Sequence, residues 1–170
     1  MRIRLLIVLL TCCFISNTNA SDEDANYTLY LVRHAEKQQD GGRDPELTKE
    51  GKARSKQLAN WFQDKNIKDI WSSDYKRTRD TAQPLVSRLG LELSIYDPRN
   101  LADLVVQLQH NQRTTLIVGH SNTTSELARL LCDCSIPDMD ESEYDRLIVI
   151  SVTDGKTEAR TLEQDQLFKQ

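Results

Sequence analysis

The chain has 170 residues, of which 28% are charged and 38% hydrophobic, and its formal net charge is −4. These proportions predict one ordinary globular domain and exclude a disordered or collagen-like chain. An acidic chain with 6% aromatic residues and three histidines lacks the broad basic face that nucleic-acid binding requires. We therefore expect no nucleic-acid partner.

The first twenty residues are typical of an export signal. Arg2 and Arg4 precede an apolar run from Leu5 to Ile15, and residues 18–20 form a small-residue cleavage pattern. The run is too short to span a bilayer comfortably. We expect cleavage after residue 20, which leaves a single domain of residues 21–170 with a net charge of −6 and no stable membrane insertion. The expected location is the periplasm.

Two other fates of the N-terminus stay open. Acylation of Cys12 would give a lipid anchor, but Leu10 stands two positions before it, where a lipoprotein signal needs a small residue. Alternatively, an uncleaved apolar run would tether the domain to the outer face of the inner membrane.

The mature chain keeps only Cys132 and Cys134. A zinc site would need a second cysteine pair or histidines nearby, and two cysteines do not form a disulfide framework. We expect either free thiols or a local disulfide at a helix end, with no catalytic role.

Apolar segments alternate with helical patterns along the mature chain, which predicts a three-layer α/β/α sandwich with a mostly parallel central sheet. The predicted strands are Tyr27–Val32, Ile67–Trp71, Leu91–Tyr96, Thr115–Val118, Arg146–Val152 and Thr157–Leu162.

Four amphipathic helices are predicted between these strands. The first runs from Thr48 to about Lys65, with Ser55, Leu58, Ala59 and Phe62 on one face. The second begins near Tyr75, and Pro84 predicts a kink or a late start. The third carries Leu101, Leu104, Val105 and Leu108 on one face. The fourth carries Leu127, Leu130 and Leu131, and a capping box of Thr123 and Glu126 is predicted to open it.

Polar residues follow three of the predicted strands directly. Arg33 and His34 follow the first, Ser72, Ser73 and then Arg77 follow the second, and Gly119-His120 follows the fourth. Ligands of open α/β sheets bind outside the carboxyl ends of the strands. If these strands are neighbours in a parallel sheet, two histidines and two arginines meet at one edge.

Such a cluster suits a tetrahedral dianion. The planar guanidinium of arginine matches phosphate oxygens and stays charged at biological pH. A helix that begins after His120 would add backbone N–H groups near Ser121 and Asn122. A neutral imidazole in this field can attack phosphorus, so hydrolysis through a phosphohistidine needs no metal ion or other cofactor.

These residues resemble the motifs of the histidine phosphatase superfamily, the phosphoglycerate-mutase-like proteins. Residues 31–37 resemble its Arg-His-Gly signature, with Ala35 where the family has glycine. Leu47-Thr48 followed by Gly51 resembles the start of its first helix, residues 73–82 its second motif, and residues 118–122 its third. The similarity covers nearly all of residues 27–153 in the family's order.

The resemblance implies a role for each matched residue. It makes His34 the phosphorylated nucleophile and Arg33, Arg77 and His120 the phosphate pocket, to which Ser121 and Asn122 add substrate contacts. For the general acid, Asp97 at the end of the third strand is the first choice, ahead of Asp103 and then Glu36. That carboxyl group would need a raised pKa to hold a proton near neutral pH.

The function expected from the sequence is metal-independent hydrolysis of an extracytoplasmic phosphomonoester, on a small molecule or a phosphoprotein. A phosphoglycerate mutase is disfavoured because the mature chain is short and an exported protein is separated from glycolysis. Two alternatives stay open: a phosphate-binding module without turnover, and a phosphohistidine protein phosphatase. The leaving group would be read by loops such as residues 37–46 and 132–144.

Overall fold

A computed structural model of the chain describes residues 26–39 and 42–169, so the predicted signal segment lies outside the described residues. The strands are β1 (Tyr27–Arg33), β2 (Asp69–Ser73), β3 (Leu93–Tyr96), β4 (Thr115–Gly119), β5 (Arg146–Thr153) and β6 (Lys156–Glu163). The helices are α1 (Lys49–Phe62), α2 (Lys76–Leu89), α3 (Leu101–Asn111), α4 (Ser121–Cys132) and the short α5 (Gln164–Leu167). None of the described helices combines the length and hydrophobicity needed to span a bilayer.

The six strands form one sheet in the order β3-β2-β4-β1-β5-β6. The first four are parallel to one another, while β5 runs antiparallel to β1 and β6 antiparallel to β5. The predicted mostly parallel α/β sheet is therefore confirmed. Because β2, β4 and β1 are neighbours, their carboxyl ends lie side by side at one edge.

The alternating side chains of β1 define the three layers. Leu29 and Leu31 pack on one face of the sheet, in a buried cluster with apolar residues of α3 and α4. Tyr30 and Val32 pack on the other face, with residues of α1 and α2. Successive side chains of a strand point to opposite faces, so one apolar strand supplies both cores.

Helix α1 follows the sequence prediction closely. Its predicted apolar face is buried, and Thr48 caps it by accepting a hydrogen bond from the Gly51 amide at 3.1 Å. The helix ends at Phe62, three residues before the predicted end. Gly51 has a packing reason to lack a side chain, because a Cβ there would lie 2.2 Å from the backbone oxygen of Glu36.

The predicted capping box of α4 was wrong, whereas the predicted start of the helix directly after His120 is confirmed. The helix begins at Ser121, His120 is its N-cap, and the Thr123 hydroxyl accepts a hydrogen bond from the His120 amide at 3.0 Å. Glu126 is an exposed residue inside the helix instead of the end of a capping box. Leu130 is 49% exposed, so it does not share the buried face with Leu127 and Leu131.

Two further boundaries differ from the sequence prediction. Helix α2 begins at Lys76 and continues through Pro84, so the late start was wrong. Strand β2 lies two residues later than predicted, because parallel pairing continues through Ser72, opposite Val118, and Ser73, opposite Tyr96. The limits of β2 are therefore set by backbone pairing with β3 and β4 and not by the apolar run on which the prediction was based.

The antiparallel half of the sheet is closed by a tight turn between β5 and β6. Asp154 and Gly155 both have positive φ angles, 49° and 70°. Two such residues in a two-residue connection match the right-handed twist of a β-hairpin. The Asp-Gly pair therefore fixes the register in which Arg146 pairs with Glu163.

Cys132 and Cys134 form a disulfide at the C-terminal end of α4. Asp133 between them is the C-cap, with a φ of 49°, and its amide donates to the Arg129 carbonyl. Of the two expected states of these cysteines, the structure has the local disulfide.

Candidate functional site

A cavity of about 360 Å³ opens at the edge of the sheet where β1, β2 and β4 end. It brings together six of the seven predicted site residues, all but Asp97, and several that the sequence did not single out. Its lining consists of Arg33, His34, Lys37, Tyr75, Arg77, Pro98, Arg99, His120, Ser121, Asn122, Thr123 and Glu141.

His34 follows β1 directly and is held by both its backbone and its ring. Its amide donates to the Gly119 carbonyl at 2.9 Å, which extends the β1–β4 pairing by one residue. Its Nδ1 lies 2.8 Å from the Ala35 carbonyl. A carbonyl only accepts hydrogen bonds, so Nδ1 carries the proton and Nε2 keeps a free lone pair.

The electrostatic environment keeps the His34 ring neutral. The side chain is 2% exposed, and burial together with the charges of Arg33 and Arg77 lowers its pKa from 6.5 to about 3. The hydrogen bond to Ala35 opposes this shift. At any pH above about 4 the imidazole is therefore uncharged and its Nε2 is nucleophilic.

His120 has the opposite tautomer. Its Nδ1 lies 3.3 Å from Nη2 of Arg77, which can only donate, so Nδ1 accepts and Nε2 carries the proton. Nε2 donates to the Ser73 hydroxyl at 2.9 Å, and Ser73 donates in turn to Thr78 at 3.1 Å. Burial and the charge of Arg77 lower the His120 pKa to about 4.

Arg77 lies at the start of α2 and is oriented by its neighbours. Its guanidinium carbon is 4.5 Å from the centre of the Tyr75 ring, and Nη1 is 3.5 Å from Asp44. Its buried Nε has no hydrogen-bond partner among the described residues. The position of α2 is fixed in turn by Thr81, whose hydroxyl accepts from the Ala35 amide and donates to the Arg77 carbonyl.

Ala35 stands where the resembled family has glycine, and the structure shows why this is tolerated. Ala35 is fully buried and is not among the residues with a positive φ angle. Nothing in its backbone conformation therefore requires glycine.

Arg33 lines the cavity but also organises the loop that precedes β5. It is 1% exposed, and Nη1 donates to the carbonyls of Asp140, Glu141 and Glu143 at 2.8–3.0 Å. Its guanidinium lies 4.2 Å from the centre of the Tyr144 ring. Part of its capacity to bind an anion is thus spent on holding this loop over the cavity.

Glu141 is a site residue that sequence reasoning missed. Its carboxylate bridges Arg33 Nη2, at 3.0 Å, and the hydroxyl of Ser121. The hydrogen bond from Ser121 and the charge of Arg33 lower its pKa, although the side chain is 78% exposed. The acidic stretch of residues 138–143 was visible in the sequence, but nothing in it indicated which carboxylate returns to the strand ends.

The N-terminus of α4 faces the cavity through Ser121, Asn122 and Thr123. The first N–H groups of a helix have no partner within it, and they carry the positive end of the helix dipole. Together with the two arginines, they make the cavity a small positive region in an acidic protein. The arrangement can hold a tetrahedral anion in front of Nε2 of His34.

The structure does not place the predicted general acids at the cavity. Asp97 is absent from its lining, is 48% exposed, and forms two 3.0 Å hydrogen bonds with the Arg99 side chain, which lower its pKa. This is the opposite of the shift that a proton donor needs. Asp103 is exposed on α3 and accepts from Gln107, and Glu36 is paired with Arg54 at 2.8 Å.

Within residues 26–39 and 42–169, no cluster of three or more His, Cys, Asp or Glu side chains is arranged to hold a metal ion. The buried groups at the cavity are instead arginines and imidazoles, which suit an anion.

Comparison with known families supports the resemblance seen in the motifs. Residues 29–103 match the family model described as the histidine phosphatase superfamily (branch 1). Among curated proteins, 6-phosphofructo-2-kinase/fructose-2,6-bisphosphatase 4 of Rattus norvegicus and of Homo sapiens are 43% and 42% identical over 65 residues. Each alignment covers 34% of this chain and only 14% of the relative.

Solved structures with the same fold cover most of the chain. The protein histidine phosphatase SixA complexed with tungstate has a TM-score of 0.68 and 18% identity, covering 82% of this chain and 99% of its own. A mycobacterial glucosyl-3-phosphoglycerate phosphatase has a TM-score of 0.65 and 17% identity, with coverages of 81% and 98%. A putative alpha-ribazole-5'-P phosphatase from Escherichia coli has a TM-score of 0.65 and 15% identity, covering 81% of this chain and 96% of its own. At these identities the likeness shows the fold.

The lowered pKa values of the two buried histidines predict a loss of stability in mild acid. The unfolded chain binds protons near pH 6.5, whereas folded His34 and His120 stay neutral down to about pH 3 and 4, so stability falls as the pH drops below 6.5. For His34 the loss between pH 7 and pH 5 is about 2 kcal/mol. Urea unfolding of His34→Gln at both pH values should show a smaller loss by that amount.

The matched control is His110→Gln, at the exposed end of α3. Its free energy of unfolding should fall between pH 7 and pH 5 by as much as that of the wild type. An unchanged pH dependence in His34→Gln would show that His34 is not held neutral by the fold.

Proposed function

Because this chain belongs, through its residues 29–103, to the histidine phosphatase superfamily, we propose that it hydrolyses phosphomonoesters through a phosphohistidine on His34. The observation that carries the proposal is the free Nε2 lone pair of a buried, neutral imidazole beside two arginines. The reaction needs no metal ion, since the arginines and α4 supply the positive charge.

In the first step, Nε2 of His34 attacks phosphorus and the ester P–O bond breaks. The imidazole gains positive charge as the N–P bond forms, and the Ala35 carbonyl stabilises the proton on Nδ1. Because Nδ1 is already bonded to that carbonyl, the ring is oriented before the substrate arrives. Holding the reacting atoms in place in this way lowers the entropic part of the barrier.

The negative charge on the phosphoryl oxygens is balanced by fixed groups. Three groups face the cavity: the guanidinium groups of Arg77 and Arg33 and the N-terminus of α4. Their N–H groups can donate hydrogen bonds to the phosphoryl oxygens without reorienting. His120 accepts a hydrogen bond from Nη2 of Arg77 through its Nδ1 at 3.3 Å. In this role it positions the Arg77 guanidinium beside the anion.

The leaving oxygen needs a proton, and we propose Glu141 as its source. Among the described residues that line the cavity, it is the carboxylic acid. A bound phosphoryl dianion takes over the donors of Arg33 and Ser121, which now hold the Glu141 pKa low. The freed carboxyl group then lies beside a dianion, which favours its protonated form. After donating its proton, the carboxylate can take one from the water that attacks the phosphohistidine, and inorganic phosphate leaves.

The proposed substrate is extracytoplasmic, and this rests on the N-terminal sequence. The basic start, short apolar run and small residues 18–20 favour export to the periplasm. Mass spectrometry of the protein purified from its native compartment should give a chain that begins at Ser21. A mass that includes residues 1–20, or an acyl group on Cys12, would contradict release into the periplasm.

Replacement of the nucleophile tests the catalytic proposal. His34→Ala should lower kcat with p-nitrophenyl phosphate by at least about 10⁴-fold, because His120, the other imidazole of the described cavity lining, has both ring nitrogens in hydrogen bonds. His110→Ala is the control and should keep wild-type activity. Vanadate should inhibit the wild type, since it resembles the five-coordinate transition state.

The same experiment separates hydrolysis from binding without turnover. Rapid quench into alkaline detergent during turnover should trap a phosphoenzyme on the wild type, stable in base and lost in acid, and none on His34→Ala. Calorimetric binding of phosphate with no phosphoenzyme and no product would show that the domain is a phosphate-binding module.

The role of Glu141 predicts a dependence on the leaving group. A p-nitrophenolate departs without a proton, whereas the alkoxide of glycerol phosphate requires one. Glu141→Gln should therefore reduce kcat for glycerol phosphate by about 100-fold and for p-nitrophenyl phosphate by less than about threefold. Glu126→Gln removes the same charge from an exposed position of α4 and should change neither rate. An equal loss on both substrates would exclude Glu141 as the proton donor.

A further inference from the structure

A second cavity, of about 490 Å³, adjoins the first. The two share Tyr75, Pro98 and Arg99, so they form a single groove that leads away from His34. The first cavity is lined by the groups that suit a phosphoryl anion. The second is therefore the space that the rest of a substrate would enter.

Tyr75 forms the wall between the two cavities and is held in place by the anion-binding residues. Its ring meets the His120 ring at 4.9 Å and 88°, and the Arg77 guanidinium lies 4.5 Å from its centre. These contacts fix the ring next to the point where an ester oxygen would leave. A fixed aromatic surface at that point favours a flat, apolar neighbour.

The far part of the second cavity is also apolar. Ile95 lines it and is 46% exposed, as one of three large hydrophobic side chains in the described residues that are exposed to this extent. The other two, Val106 and Leu130, lie on α3 and α4 and line neither cavity. Pro98 adds a second apolar surface between Tyr75 and Ile95 along the same groove.

The charges around the second cavity are already paired. Arg99 is bound by Asp97 through two 3.0 Å hydrogen bonds, and Asp74 is bound by Arg79. Asp74 and Asp97 bring two carboxylates to this cavity. Among the described residues that line this cavity, Arg99 is the cation, and a second phosphate or carboxylate on the substrate would have to compete with Asp97 for it. The exposed guanidinium of Arg99 can still lie against a ring at the junction.

We propose that this second cavity is a leaving-group site for aryl phosphates, the phosphomonoesters of phenols. The ring lies against Tyr75 and Pro98 and extends toward Ile95, while the phosphoryl group faces His34. This inference rests on the phosphatase activity proposed above and names its substrate class. The phenol can belong to a small molecule or to a tyrosine side chain, and the chemistry of the site is the same for both.

Non-hydrolysable phosphonates test the site without requiring turnover. Calorimetry should show that 1-naphthylphosphonate binds about tenfold more tightly than methylphosphonate to the wild-type protein. Ile95→Asp should weaken naphthylphosphonate binding by about tenfold and change methylphosphonate binding by less than twofold. Leu130→Asp, at a similarly exposed apolar position, is the matched control and should change neither. Ile95→Ala, which adds no charge, should weaken only the naphthyl ligand.

Equal affinity for the two phosphonates, or an equal effect of Ile95→Asp on both, would overturn the aryl site. Turnover separates this outcome from failure of the phosphatase proposal. Hydrolysis of glycerol phosphate without any aryl preference removes the aryl site and leaves the phosphatase. A preference for the aryl phosphonate in binding, with no hydrolysis of any ester, removes the phosphatase and leaves the aryl site. Faster turnover of a phosphotyrosine peptide than of phenyl phosphate identifies a protein source, and the opposite order a small molecule.

Discussion

The parallel pairing of β1 with β4 determines the positions of Arg33, His34 and His120 in the cavity. Arg33 lies opposite Gly119, and the next amide, that of His34, still bonds to the Gly119 carbonyl at 2.9 Å. The two imidazoles that follow these strands are thereby held with ring centres 5.6 Å apart. A slip of one residue would turn each strand over and exchange the residues of the two cores. The apolar alternation of β1, which both cores require, therefore also fixes the site. Packing of the sheet and placement of the reactive groups are one constraint.

This constraint explains how an acidic protein builds a site for an anion. Arg33 is buried and Arg77 is 14% exposed, and charges in a buried region interact more strongly than charges at the surface. The same burial keeps both imidazoles uncharged. The charge that stays is on Arg33 and Arg77, which cannot lose their protons, so the cavity keeps its positive sign while its imidazoles stay neutral. The net charge of the chain carries no information about this local arrangement.

Residues next to strand ends could be predicted from the sequence, whereas residues brought in by loops could not. His34, Arg77 and His120 lie shortly after β1, β2 and β4, and the sheet meets the condition of the prediction that these strands be neighbours. Glu141 returns to the site across a loop whose path depends on carbonyl bonds to Arg33, and no periodic pattern encodes such bonds. Asp97 was predicted by the same strand-end logic, but it lies outside the lining of this cavity and is paired with Arg99, two residues away. Local pairing of this kind competes with any site role, and sequence position alone does not show which prevails.

The contact of Glu141 with Ser121 and Arg33 has a consequence for the resting protein. A small positive cavity in water would attract any available anion, and inorganic phosphate, the product of the proposed reaction, is a good fit. Here a tethered carboxylate already takes two of the donors. The Glu141 carboxylate is singly charged and largely exposed, so a phosphomonoester dianion with an organic group can displace it. Inorganic phosphate, which lacks that organic group, must compete with the carboxylate for the same donors at every turnover. Such a tethered competitor weakens the binding of substrate and product alike, which limits trapping of the product and favours repeated turnover. In the proposed reaction, the Glu141 carboxylate therefore favours release of the product by taking back its hydrogen bonds from Arg33 and Ser121.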